Sequence, residues 1–265
     1  MKRLAFAALA LGSLLIAACG GLSEAEKPSN KGTDLSDQER LEEAIAEYDK
    51  AIELDPKDFG AYLNRGNAYD ELGQPDRAIA DYDKAIELAP NDARAYRNRG
   101  VTYHSLGKLD EALADFNKAV ELDPGYALAY SSRGDIYLAQ GDYERAIADY
   151  DKAIEQDPKR AGVYLARANA HVSLQHYDIA IADLDKAIEL DPSKATAYSV
   201  RGFVYAEVGD PVQAIADLEK FISLSGNPDQ VRADTIASLE STLATASDPT
   251  TQAQLGQIIE ELRGP

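Results

Sequence analysis

Few side chains in this sequence can do covalent or metal chemistry. Among 265 residues there is one cysteine, Cys19, and there are three histidines, His104, His171 and His176. A single thiol makes no internal disulfide and no cysteine-based zinc site. His171 and His176 are five residues apart, which misses the three- or four-residue step that puts two ligands on one helix face. There is no glycine-rich phosphate loop and no Gly-x-Ser-x-Gly nucleophile turn. The acidic pairs Asp81/Asp83 and Asp149/Asp151 read as solvated helix faces. These residues predict a protein that is not an enzyme and that holds no metal or cofactor.

Cys19 is placed for another reaction. Met1-Lys2-Arg3 is a short basic start, and residues 4–18 are apolar except for Gly12 and Ser13. That is the layout of an export signal, and it is shorter than the roughly 20 residues of a spanning helix. Ile16-Ala17-Ala18-Cys19 resembles a bacterial lipobox, in which the thiol is acylated and the chain is cut just before it. The expectation is a signal peptide over 1–18 and lipidation of Cys19. Residues 19–36 lack apolar periodicity and are expected to form a flexible tether. The predicted location is the bacterial cell envelope, with the membrane contacted through the N-terminal lipid alone.

Charge excludes other partners. Lys and Arg total 27 against 46 Asp and Glu, a formal net charge of -19. A surface this acidic repels nucleic-acid phosphates, so no nucleic-acid partner is expected. Hydrophobic residues make up 45% of the chain, enough to bury a core.

The elements that carry the remaining polar side chains follow from a repeat of 34 residues. Proline recurs at 56, 90, 124, 158 and 192. Tyr62, Tyr96, Tyr130, Tyr164 and Tyr198 keep the same interval, as do Ala78, Ala112, Ala146, Ala180 and Ala214. Within one unit, 96–106 predicts a first helix ended by Gly107, and 109–122 a second ended by Asp123-Pro124. Leu109, Leu113, Phe116 and Val120 fall at helical spacing. Gly73, Gly107, Gly141 and Gly209 suit a left-handed helix end, and Pro75 and Pro211 a helix start.

The pattern AYxxRGxxY…LG…A…DY/F…A.ELDP resembles the tetratricopeptide repeat family. The resemblance implies an all-α, right-handed α-solenoid of helix-turn-helix repeats with terminal capping helices. A partial repeat over 37–58, opened by a Ser36-x-x-Glu39 capping box, precedes repeats 59–92, 93–126, 127–160, 161–194 and 195–225. The alanine series stops at Phe221, and 226–265 predicts two capping helices with Val231, Ile236, Leu239, Leu243, Leu255, Ile258, Ile259 and Leu262 inward.

By the same resemblance, first helices line a groove that binds a protein or peptide partner. Its polar candidates are Asn64, Asn67, Arg94, Arg97 and Asn98. Further along, Val101, Leu165 and Phe203 form an apolar strip with Asp135 and Asn169 between them. Asn67 and Asn98 occupy places used by the carboxylate clamp of chaperone-binding members, but Leu63, Leu128 and Ser132 stand where that clamp needs a base. His171 replaces the tyrosine of the other repeats and is expected to be packed. The chain departs from the family at Arg65, Arg99, Arg133, Arg167 and Arg201, where an apolar residue is usual. Asp81, Asp115, Asp149, Asp183 and Asp217 share the period, so an ion-pair ladder is expected between helices. The implied function is a non-enzymatic adaptor, with a self-associating structural component of an envelope assembly as the alternative.

Overall fold

The computed structural model describes residues 26–264; Cys19, the apolar segment before it and the first part of the expected tether lie outside them. The described residues form fourteen α-helices and no strand. They divide into two compact units between Thr102 and Tyr103. The first contains α1 (Glu26–Ser36), α2 (Leu41–Leu54), α3 (Phe59–Glu71), α4 (Pro75–Leu88) and most of α5 (Ala93–Ser105). The second continues through α6 (Leu109–Leu122), α7 (Ala127–Ala139), α8 (Tyr143–Gln156) and α9 (Ala161–Ser173). It ends with α10 (Tyr177–Leu190), α11 (Ala195–Val208), α12 (Pro211–Ser223), α13 (Pro228–Thr245) and α14 (Pro249–Arg263).

Local sequence sets where each helix stops. First helices close by a six-to-one backbone bond across a left-handed residue: Gln74 N–H donates to Tyr69 O (2.8 Å) over Gly73 at φ 68°. The same closure recurs at Gly107, Gly141 and Gly209. Second helices stop because the residue before a proline is pushed out of the helical region. Asp55, Asp123, Asp157 and Asp191 accordingly have φ between -132° and -140°. Pro75 and Pro211 open α4 and α12, where a missing N–H costs nothing.

Small residues let paired helices approach. Ala78, Ala112, Ala146, Ala180 and Ala214 are fully buried, and so are Ala85, Ala119, Ala153 and Ala187. A Cβ added to Gly66 would stand 2.7 Å from the Tyr82 ring, and one on Gly134 2.8 Å from Tyr150. The rings of Tyr82, Phe116 and Tyr150 then fill the space between layers, with Leu184 and Leu218 in the same register.

Residues 26–39 correct three expectations. Residues 26–36 are not tether: α1 packs on α2, with Leu35 and Tyr48 buried together. A Cβ on Gly32 would meet Tyr48 at 2.6 Å, and Lys31 pairs with Glu47 at 2.8 Å. Gly32, Lys31 and Tyr48 stand 34 residues before Gly66, Arg65 and Tyr82, so the first repeat is complete rather than partial. The capping box is also absent. Ser36 ends α1, Glu39 lies at φ 59°, and Arg40 N–H donates to Leu35 O (2.9 Å) as in the other first-helix ends.

Gln175 (φ 58°) is the corresponding exception in a later repeat, where its counterparts are glycine. A left-handed residue with a Cβ costs about 1–2 kcal/mol. Gln175→Gly is therefore expected to raise stability by about 0.5–1 kcal/mol after the added chain entropy of glycine, read as a higher urea midpoint. An unchanged midpoint would show that the turn carries no strain.

At the far end, Leu218 and Ile222 of α12 share a core with Leu239 of α13 and with Leu255, Ile258, Ile259 and Leu262 of α14. Val231, Ile236, Leu243 and Phe221 are partly buried against it. The large Phe221 side chain thus marks where repeat stacking gives way to the two terminal helices.

Candidate partner-binding faces

The 34-residue register places Asn67, Val101, Asp135, Asn169 and Phe203 at one position of successive first helices. What each can offer depends on the residue 15 positions later, on the paired second helix. In the first unit, Tyr82 Oη donates to Asn67 Oδ1 at 2.9 Å, and Asn98 Nδ2 donates to the same oxygen at 2.8 Å. Asn67 has thus spent its acceptor inside the fold. Arg97 and Val101 border the same cavity of about 260 Å³. The Arg97 Nε is buried and makes no hydrogen bond among the described residues, while its Nη1 donates to Asn98 Oδ1 at 3.3 Å. Arg94 is not part of that cavity. It is exposed and paired with Asp92 (2.6 Å), whose carboxylate it holds below the usual range. Asn64 is half-buried and does not border the cavity either.

In the second unit, Asp135 accepts from Tyr150 Oη at 2.8 Å. Its carboxylate is reachable by solvent but crowded by the walls of a cavity of about 360 Å³ shared with Ser131 and Arg160. That crowding pushes its pKa up, against the opposing effects of the Tyr150 hydroxyl and His104. Burial likewise pushes Tyr82 and Tyr150 well above the ordinary phenol range. Asn169 is different: residue 184 is leucine, which has no hydroxyl, and the Asn169 side-chain amide makes no hydrogen bond among the described residues. Leu165 packs against the core of its own repeat. Phe203, Val172 and Val200 border a larger cavity of about 530 Å³, together with Asn169 and with Leu239 and Leu255 of the terminal helices.

The arginines and aspartates meet in a way the sequence only half predicts. Arg65 Nε and Nη2 donate to Asp81 at 2.7 Å each, and its Nη1 donates to Asp49 at 2.5 Å. Arg167 repeats this with Asp183 (2.8 and 2.6 Å) and Asp151 (2.5 Å). Arg201 does so with Asp217 and Asp185. Arg133 binds Asp149 and, where the second aspartate is replaced, Asn117 Oδ1 at 2.8 Å. Arg99 binds Asp83 at 2.5 Å, and Asp115 is buried like its counterparts. The acidic pairs are therefore not merely solvated faces. Asp81 serves Arg65 while Asp83 serves Arg99, and Asp149 serves Arg133 while Asp151 serves Arg167, so each pair joins two first helices. The recurring Tyr62, Tyr96, Tyr130, Tyr164 and Tyr198 place their rings 5.5–5.8 Å from these guanidiniums.

His171 is buried, its Nδ1 has no hydrogen bond among the described residues, and burial lowers its pKa. The folded protein thus binds this proton less readily than the unfolded chain. Stability is fully present above the ordinary histidine value of about 6.5 and declines as pH falls below it. His171→Phe is expected to remove that part of the acid sensitivity, read as thermal midpoints between pH 7 and 5; an identical slope in both proteins would refute it. Among the described residues no group of His, Cys, Asp and Glu is arranged to hold a metal ion, and no helix is long and apolar enough to cross a membrane.

These features define a class: an all-α protein of stacked helix-turn-helix repeats whose first-helix faces carry polar and apolar contact groups. Family models described as tetratricopeptide repeat match residues 63–127, 116–148 and 168–240, and one described as TPR repeat matches 32–73 and 134–175. The chain belongs to the tetratricopeptide repeat family, whose members are in general non-catalytic scaffolds. No curated relative matches it. Among solved structures it is similar to Pseudomonas aeruginosa pilF, with TM-score 0.71 and 18% identity over 79% of this chain and 97% of that one. It is also similar to MamA, with TM-score 0.54 and 27% identity over 62% of this chain and 96% of that one. YrrB, described as a TPR protein with an unusual peptide-binding site, gives TM-score 0.58 and 24% identity over 71% and 96% of the two chains.

Proposed function

We propose that this protein is a non-enzymatic adaptor that binds a segment of a partner protein on its first-helix faces and is held in the bacterial cell envelope by lipidated Cys19. The family's helix-pair fold supports a protein–protein interaction role. The observation that carries the binding reading is two polar groups with no hydrogen bond among the described residues: the buried Arg97 Nε, in a side chain bordering one cavity with Val101, and the amide of half-buried Asn169, bordering another with Phe203. The unpaired Arg97 Nε costs stability where it is buried, and the Asn169 amide is open to a partner's main chain. The basic start, the apolar segment and the placement of Cys19 support the anchor.

The test is capture of partners by wild type, Arg97→Ala and Phe203→Ala, with circular dichroism as a control for folding. At least one variant is expected to lose partners that wild type enriches; retention of every partner by both would end the groove reading. Mass spectrometry of the mature N-terminus tests the anchor separately. An acylated Cys19 at the chain start is expected, and an uncut chain with a free thiol would exclude it.

A further inference from the structure

The largest cavity described above has a wall that ordinary repeat stacking does not supply. Val172 of α9 and Val200 and Phe203 of α11 form one side, while Leu239 of α13 and Leu255 of α14 form the other. The terminal helices therefore do more than seal an apolar end: they close a pocket onto the first-helix face. Its volume of about 530 Å³ lies within the range of binding pockets, about 300–1,000 Å³. Besides the hydroxyl-bearing Tyr177, Ser199, Thr242 and Thr251, two further polar side chains line it. The Asn169 amide, freed by Leu184 on the paired helix, keeps both its donor and its acceptor. Glu207 is exposed, makes no ion pair among the described residues, and no Lys or Arg borders the pocket.

We infer that this pocket takes an apolar side chain of an extended, basic segment of a partner protein, the main chain held by Asn169 and a Lys or Arg next to the anchor facing Glu207. The inference rests on the groove reading above and names the chemistry of its occupant. A helix satisfies its own backbone and would leave Asn169 unused, whereas an extended segment presents free N–H and C=O groups to an amide. Charge favours a cation: Glu207 is unopposed locally, and the whole chain carries -19. Asp135 adds to this. It occupies the Asn169 position one repeat earlier, and neighbouring helices lie about 8–10 Å apart, so a second basic residue about three positions from the Asn169 contact would reach it.

The experiment pans a phage-displayed library of random 12-residue peptides on the full protein, then measures fluorescence anisotropy of the selected peptides with wild type, Asn169→Ala and Glu207→Lys. Glu207 is exposed and Asn169 half-buried at the pocket, and circular dichroism checks that each variant folds. Selected peptides are expected to carry an aromatic or aliphatic residue flanked by Lys or Arg. Asn169→Ala should weaken them about tenfold, as one or two lost hydrogen bonds would. Glu207→Lys should weaken basic peptides about tenfold and leave versions with the flanking base changed to alanine nearly unaffected. Peptides that are acidic, that lack an apolar anchor, or that bind both variants as tightly as wild type overturn the inference. If such peptides still require Arg97, the groove reading survives without it. If no peptide is enriched, both fail.

Discussion

Gly66→Ala is expected to destabilise the protein by about 2 kcal/mol, although alanine is the better helix former by about 1 kcal/mol. The reason is contact. The new methyl would stand 2.7 and 2.9 Å from ring carbons of Tyr82, which is 1% exposed and held at its far end by Asn67. Shifting the ring would disturb its hydrogen bond to Asn67, and forced overpacking in a dense core costs about 1–3 kcal/mol, occasionally more. One repeat in the protein already contains the solution: alanine stands at 168, and the second-helix residue in the Tyr82 position is Leu184. Tyr82→Leu alone should cost about 2 kcal/mol through lost ring contacts and an Asn67 acceptor left with one donor. The double variant should then be more stable than the sum of the two, with a coupling of about 1–2 kcal/mol in urea unfolding. Strict additivity would show that the Gly66–Tyr82 contact is not the limiting one.

That contact also shows how much was legible in the sequence. The period of 34, the helix ends at Gly73 and its counterparts, and the buried alanines follow from spacing alone, because a turn that needs positive φ and a crossing that needs small side chains restrict the residue type at every repeat. Where the restriction is met by an unusual residue, the signal weakens. Residues 26–36 carry Pro28, Ser29, Asn30, Lys31 and Gly32 and only one buried apolar side chain, Leu35, so hydropathy gave no sign of a helix. The 34-residue shift from Gly66 to Gly32 was the available sign. Glu39 misled for a related reason: it stands where the family of turns takes glycine, and its carboxylate resembles the third position of a capping box.

The candidate faces were legible in position and not in state. The register put Asn67, Asp135 and Asn169 on equivalent sites, but their free hydrogen-bonding capacity is decided from across the helix pair. Tyr82 and Tyr150 occupy Asn67 and Asp135, and Leu184 leaves Asn169 open. A pairing of hydroxyl with acceptor 15 residues apart can be found in a sequence only once the packing is known. The larger cavity required tertiary structure altogether, since α13 and α14 have no counterpart in the repeat that would place them.

Asp183→Ala should cost about 2–3 kcal/mol and Asp151→Ala less than about 1 kcal/mol, although both aspartates bind the same arginine. The Asp183 side chain is 6% exposed and accepts two parallel bonds from Arg167, while Asp151 is 54% exposed and accepts one. Removing one partner of a buried pair leaves the other charge without compensation, about 3–5 kcal/mol in full burial. Arg167 is 20% exposed and keeps Asp151, which lowers the figure. The outer pair sits in water and is screened by salt, as surface pairs are. The same logic predicts that Arg167→Leu with Asp183→Leu is nearly neutral, because no buried charge then remains and an apolar residue is what the family usually places at the arginine. Chemical denaturation of the four proteins at low and high salt separates the contributions. Equal losses for Asp183→Ala and Asp151→Ala, or a double variant as unstable as Asp183→Ala, would mean that burial does not set the strength of the ladder. The expected ordering would instead place the stabilising part of the ladder on the inner carboxylates, which are 5–6% exposed, rather than on the outer ones.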